Sequence, residues 1–145
     1  MVMALDISEP ALEIAKKNSR MNDTDINFIL CDIRDPVQWE KLAPVDLIIG
    51  NPPYIPQKQK AVLDKHVKDF EPAVALFVPD EDPIMFYKII GNFAIQKLRP
   101  GAAVFLEIHH DYANDIVEWY AKNGFSVELK KDFSGNNRMI KALLN

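Results

Sequence analysis

Asn51-Pro52-Pro53-Tyr54 is the stretch of this sequence whose residue types and order carry the most chemistry. Each proline fixes its φ near about −65° and removes a backbone donor. Asn51 precedes a proline and is therefore pushed toward extended backbone, which projects its side chain. The outcome is a stiff corner presenting two acceptors, the Asn51 side-chain oxygen and the Pro52 carbonyl, with the flat Tyr54 ring beside them. That set suits a planar nitrogen nucleophile such as an amide or an exocyclic amine. Two acceptors on its N–H groups would draw the lone pair out of conjugation and aim it, acting mainly as positive charge builds on nitrogen. The plainer reading is a proline-rich turn that ends a strand. The corner directly follows VDLIIG (residues 45–50), at the carboxyl end of an apolar run, which is where open α/β sheets bind ligands.

The elements that must position this corner follow from periodicity. Short apolar runs alternate with helical patterns, the mark of an α/β sheet protein. Strands are expected at residues 2–6, 26–31, 45–50 and 102–108, the third continuously apolar and hence buried on both faces. Ser8 caps a helix with Pro10 in its first turn, and this helix fades near Asn22-Asp23. Residues 51–82 read as an irregular stretch, long enough to be functional or mobile. Asp82-Pro83 is expected to cap the next helix, carried by Phe86, Ile89, Ile90, Phe93 and Ala94. Arg99-Pro100-Gly101 reads as a turn. A last helix carries Ala113, Ile116, Val117, Tyr120 and Ala121 and stops at Gly124. Residues 125–131 and 139–144 flank a polar turn and are expected to pair antiparallel. No linker divides the chain, so residues 1–145 read as one domain.

Composition narrows the function classes. Of 145 residues, 48% are hydrophobic and 26% charged, as in an ordinary globular domain. No apolar run approaches the roughly 20 residues a membrane helix needs. A net charge of −4 supplies no field for gathering nucleic acid nonspecifically, which leaves only a local basic patch as a route. Cys31 is the lone cysteine and cannot form an internal disulfide, which suits a reducing compartment; with no basic n-region at the start, a cytoplasmic setting is expected. Cys31 reads as a small buried hydrophobe rather than a nucleophile. His109 and His110 are adjacent in an expected strand and so point to opposite faces, and no metal centre is expected there. Lys58, Lys60, Lys65 and Lys68 read as a solvated basic face beside the corner, with an acidic partner as the alternative.

NPPYIP after VDLIIG resembles motif IV of amino-methyltransferases that use S-adenosylmethionine (SAM). The continuation resembles the HemK-type protein-(glutamine-N5) methyltransferases that modify peptide chain release factors. Their Glu-Pro-x-x-Ala-Leu element is matched by Glu71, Pro72, Ala75 and Leu76, and their Leu-Glu-Ile by Leu106, Glu107 and Ile108. Asp132, Gly135 and Arg138 match an Asp-x-x-Gly-x-x-Arg element, and ALDIS at 4–8 with Ala11 and Leu12 resembles the family's second strand and helix. The resemblance implies a Rossmann-like α/β fold, SAM as methyl donor and a release factor glutamine as acceptor. It implies that Asn51 and Pro52 hold the substrate amide, catalytically, with Pro53 and Tyr54 packing against it. Asp6 would accept from the SAM ribose hydroxyls, and Asp32 with Ile33 would read and pack the adenine, Asn51 also facing the cofactor.

Two departures accompany the match. The family's first strand and its glycine-rich loop should precede Val2, and the five glycines, at 50, 91, 101, 124 and 135, cannot rebuild that loop. The chain thus reads as the carboxyl-terminal part of a catalytic domain, ending in an antiparallel strand pair. His109 and His110 stand where the family usually has a small residue. Loss of the first strand leaves two apolar edges, expected to pair with each other, to form a strand-mediated dimer, or to leave the monomer marginal. Two other functions stay open: methylation of a DNA or RNA base amine, which the elements beyond NPPY disfavour, and a catalytically inactive fragment.

Overall fold

The computed structural model describes residues 1–62 and 71–145. It divides into two compact units, Met1–Leu42 and Ala43–Asn145.

The first unit holds strands β1 (Val2–Asp6) and β2 (Ile26–Leu30), paired parallel from Val2 opposite Ile26 to Asp6 opposite Leu30. Parallel strands need a crossover, supplied by helix α1 (Glu9–Met21). Ser8 caps it as expected, its hydroxyl accepting from the Ala11 N–H at 3.3 Å. Asn22 closes it, and Asp23 turns the chain at φ 50°, a conformation that aspartate tolerates better than most residues. A four-residue helix that the periodicity did not signal, α2 (Pro36–Trp39), starts at Asp35, whose carboxylate accepts from the Val37 N–H. Trp39 is buried, with its indole N–H donating to the Ile33 carbonyl at 3.0 Å.

The second unit is built on a four-stranded sheet in the order β3-β6-β8-β7. Its strands are β3 (Val45–Gly50), β6 (Leu98–Glu107), β7 (Phe125–Lys131) and β8 (Asn137–Leu144). β3 runs parallel to β6, and β8 antiparallel to both β6 and β7. The expected turn at residues 99–101 lies inside β6: the register shifts between Val45 and Leu47 while β6 advances from Leu98 to Ala103, with Gly101 at φ 78°. A turn signal has become a bulge. Helices α4 (Met85–Lys97) and α5 (Ala113–Lys122) contribute Tyr87, Phe93, Ala94, Ile116 and Tyr120 to a core shared with Val104, Leu106, Ile140 and Ala142. Complete burial of one such aliphatic side chain is worth about 1.5–3 kcal/mol. The Tyr120 hydroxyl donates to the Tyr87 carbonyl at 3.0 Å, so the buried phenol is not left unpaired.

Three further expectations are corrected in this unit. β3 is not buried on both faces: Leu47 is 48% and Ile49 75% exposed. An apolar run reports what a strand is able to bury, not what covers it, and among the described residues β3 has β6 as its neighbour on one side only. Asp82 does not cap α4, which starts three residues later after a turn in which the Met85 N–H donates to the Asp82 carbonyl. The Asp82 side chain pairs instead with Lys88 at 2.8 Å. The stretch expected to be irregular is also partly built. Strand β4 (Ile55–Pro56) pairs parallel with β5 (Phe77–Val78), which follows the short helix α3 (Ala73–Leu76). Pro56 and Val78 are fully buried, and the Lys58 N–H donates to Asp80 at 2.9 Å.

Candidate functional site

The Asn-Pro-Pro-Tyr corner stands at the carboxyl end of β3. Gly50 precedes the corner at close quarters: a Cβ there would lie 3.1 Å from Leu106 Cδ2 on β6, and the leucine would have to give by a few tenths of an ångström. Asn51 is exposed, Pro52 buried and Tyr54 half-buried. Together with Ile55, Glu71, Ala75 and Leu76 they line a small cleft of about 90 Å³. Three of the four residues expected to hold the substrate therefore share one cleft with three of the four matched Glu71–Leu76 positions. Pro53 is half-buried and does not line it.

Tyr54 is fixed at both ends. Its hydroxyl donates to Glu107 Oε1 at 2.9 Å across 53 residues of chain, and its ring meets the edge of His109 at 5.9 Å between centroids. Burial pushes the phenol above its usual range; the hydrogen bond and charge of Glu107 push the same way, and Arg138 pulls back. Tyr54 is thus a neutral donor. Neither Glu107, Glu71 nor His109 was assigned a role from the sequence, although Glu107 and Glu71 sit inside matched elements. Arg138 is placed by the 132–136 turn, where Asp132 Oδ1 accepts from the Ser134 and Asn136 N–H groups and Gly135 takes φ 85°. Arg138 Nε lies 3.4 Å from Asp132 Oδ2. The Asp-x-x-Gly-x-x-Arg element is therefore a turn that delivers an arginine near Tyr54.

In the first unit, Asp6 and Asp32 stand at the same end of the parallel pair, and the Cys31 N–H donates to the Asp6 carbonyl at 2.9 Å. Asp6 is exposed, one carboxylate oxygen accepting from the Ser8 N–H at 2.7 Å. A carboxylate has about four acceptor sites, so a ribose diol can still be served. Asp32 is committed more heavily. The Arg34 guanidinium binds both its oxygens at 2.7–3.1 Å, and this side-chain hydrogen bonding holds the carboxyl below its usual range. Ile33 is half-buried beside it. Cys31 is 4% exposed, and burial first, then Asp32 and Asp35, pushes its thiol up, away from nucleophilic reactivity.

His109 and His110 do not point to opposite faces. β6 ends at Glu107, and past it the two rings stack at 4.9 Å and 13°. With Asp111 they bring donor atoms within 4.8 Å of one another. The Nδ1 lone pair of His109 is already used, however, accepting the Asp111 N–H at 3.2 Å. Lys60 is not simply solvated, since its ammonium lies 5.6 Å over the Phe77 ring. Lys65 and Lys68 lie outside the described residues. No helix among the described residues is long and apolar enough to cross a membrane.

A family model described as the methyltransferase small domain matches residues 1–73, half of the chain. Two release factor glutamine methyltransferases are similar over 97% of the chain: 38% identical in Bacteroides thetaiotaomicron and 39% in Flavobacterium psychrophilum. The chain spans about half the length of each, 51% and 49%. The fold is similar to that of a methyltransferase from Pyrococcus furiosus, at TM-score 0.67 and 21% identity, over 97% of this chain and 60% of that one. The mixed α/β architecture, the corner after β3 and the extent of the family match together place the chain: it belongs to the methyltransferase small domain family.

Proposed function

We propose that this chain carries the amide-binding side of a methyl-transfer site, with a glutamine side chain of a peptide chain release factor as acceptor and SAM as donor. The observation that carries the reading is the cleft at the end of β3, where Asn51 and Pro52 line the wall and Tyr54 is clamped through Glu107. The Asn51 oxygen and the Pro52 carbonyl accept from the two amide N–H groups, and the Tyr54 ring packs against the amide plane. These acceptors gain most as positive charge develops on nitrogen. When bound, SAM supplies an electrophilic methyl group on its sulfonium. Asp6 suits its ribose, and Ile33 its adenine; Asp32 would read the adenine amine after giving up part of its contact with Arg34. The protein's part is orientation and electrostatics.

The names of the two curated relatives and the matched Glu71–Leu76 and Asp132–Arg138 positions support a release factor as partner. The charge of −4 favours it over nucleic acid, and the buried lone thiol suits a cytoplasmic setting. The test is radiolabelled methyl transfer to release factor, total RNA and DNA in parallel, with the chain alone and fused to the half of a curated relative that it does not span. Label in release factor from the fused form, with little or none from the chain alone, is the expected result. Label entering only nucleic acid would move the site to base amines.

A further inference from the structure

We infer that His109 is a positioning residue for this cleft, its neutral imidazole tying the end of β6 to residues 54–59 and holding the Tyr54 ring in place. The inference rests on the amide-site reading above for its purpose, and on geometry for its content.

His109 is 8% exposed and is held on four sides. Its backbone N–H donates to the Tyr87 hydroxyl on α4 at 3.2 Å. Nδ1 accepts the Asp111 N–H at 3.2 Å, which fixes the ring's rotation. Nε2 lies 3.4 Å from Gln59 Oε1, and the ring meets Tyr54 edge-on, at 75° between planes. These contacts assign the tautomer. A nitrogen that accepts an N–H carries no proton, so in the neutral ring the proton sits on Nε2, where it donates to the Gln59 oxygen. Tyr54 and Gln59 lie on either side of β4, so one imidazole braces the segment that leads out of the Asn-Pro-Pro-Tyr corner.

A second proton would weaken this, sparing the Nε2–Gln59 contact and opposing the one at Nδ1. It would go to Nδ1 and set two donors, Nδ1–H and the Asp111 N–H, against each other. The groups facing the ring among the described residues divide in sign. Burial opposes protonation most; the Asp111 carboxylate, 3.8 Å from Nδ1, favours it; His110 and Arg138 oppose it. Tyr54, Tyr87, Tyr112 and Gln59 also face it, and Glu107 reaches the ring through Tyr54. The balance lies below the ordinary imidazole value. The brace on Tyr54 is therefore firmest at neutral pH and loosens on acidification, while the Glu107 bond stays in place.

The experiment is NMR on the 145-residue chain with 15N-labelled imidazoles and 13C-labelled tyrosine rings. The expected result is the Nε2–H tautomer for His109, and Tyr54 ring signals that titrate with the His109 midpoint, below about 6.5. His109→Gln can donate from its amide to Gln59 but does not titrate. It should abolish the titration of the Tyr54 signals. His109→Ala should shift the Tyr54 signals at every pH while those of the buried Tyr120 stay in place. If Tyr120 shows that the alanine variant has lost its fold, the glutamine variant decides alone. An Nδ1–H tautomer, a Tyr54 titration that survives in His109→Gln, or Tyr54 signals unmoved in a folded His109→Ala would each overturn the inference. Methyl transfer by the fused form is assayed separately. Its absence beside an intact His109–Tyr54 coupling counts against the amide-methylation reading and leaves the brace standing.

Discussion

Asn51 and Asp6 are both exposed polar residues at the end of a parallel strand, yet their substitution should be felt at different steps. Asn51 would touch the nucleophile, whose charge changes only during transfer, so Asn51→Ala in the fused form should lower kcat by about 10²–10³ with SAM affinity nearly intact. Single-turnover kinetics reads this directly, and an unchanged transfer rate would remove the role. Asp6→Ala should do the reverse, weakening SAM in a titration with little effect on the rate at saturation. Unaltered affinity would take Asp6 out of the cofactor site. Asp132 gives a prediction about stability. The Asn136 N–H above all, with Arg138 and the Ser134 N–H, holds its carboxyl below the usual range. The unfolded chain therefore takes up the proton first on acidification. The contribution is present above the ordinary carboxylate value near 3.9 and is lost as the pH falls through the depressed one. Denaturant titrations from pH 6 to pH 2 should show a shallower acid loss in Asp132→Asn than in the parent. Equal slopes would mean that the turn does not depend on the charge.

Helices α4 and α5 cross where Gly91 removes a side chain for Trp119, and this contact sets the price of change at the level of elements. A Cβ on Gly91 would collide with the Trp119 ring, 2.7 Å from its Cη2, and come within 3.3 Å of Tyr120. Alanine gains about 1 kcal/mol of helix propensity, but overpacking costs about 1–3 kcal/mol, so Gly91→Ala should be destabilising on balance. Urea unfolding checks the sign, and combining it with Trp119→Ala should remove most of the added penalty if the clash is the cause. The helix stripe containing Phe93 and Ala94 was legible because a period of 3.6 is written in neighbouring residues. So were the Ser8 cap and the stop at Gly124, each a matter of one or two residues' own backbone preferences. What joins distant residues was not legible. The Tyr54–Glu107 bond spans 53 positions, and β4 and β5 are two residues each, too short to carry a period. The four residues of α2 left no stripe for the same reason. His109 and His110 were misread because the rule of alternating faces holds inside a strand, and β6 ends before them. Exposure of Leu47 and Ile49 was invisible for a different cause: it depends on a neighbour that β3 itself does not encode.

The whole molecule exposes apolar strand surface that a stable monomer would cover. β3 has one paired side among the described residues, and it carries Ile49 at 75% and Leu47 at 48% exposure; Val2 on β1 is 58% exposed. Parallel sheets are ordinarily covered on both faces, and an open apolar edge is a template for another strand. SAM should bind the 145-residue chain weakly for a related reason. Asp6 would offer only one carboxylate to the ribose and Asp32 is tied to Arg34, while no two glycines lie near enough in sequence to bring backbone close under the rest of the molecule. Micromolar binding in a calorimeter would contradict this. The edge itself predicts self-association. Sedimentation of the isolated chain should show species heavier than 16.5 kDa whose share rises with concentration. Ile49→Lys, which places a charge on the open strand, should shift the distribution toward monomer without unfolding the core around Tyr87 and Tyr120, since Ile49 belongs to no buried cluster. Fusion to the uncovered half of a curated relative should have the same effect if that half supplies the missing neighbour. A parent chain that stays monomeric at every concentration would show that the β3 edge is tolerated in water, and the exposure of Leu47 and Ile49 would then need no partner.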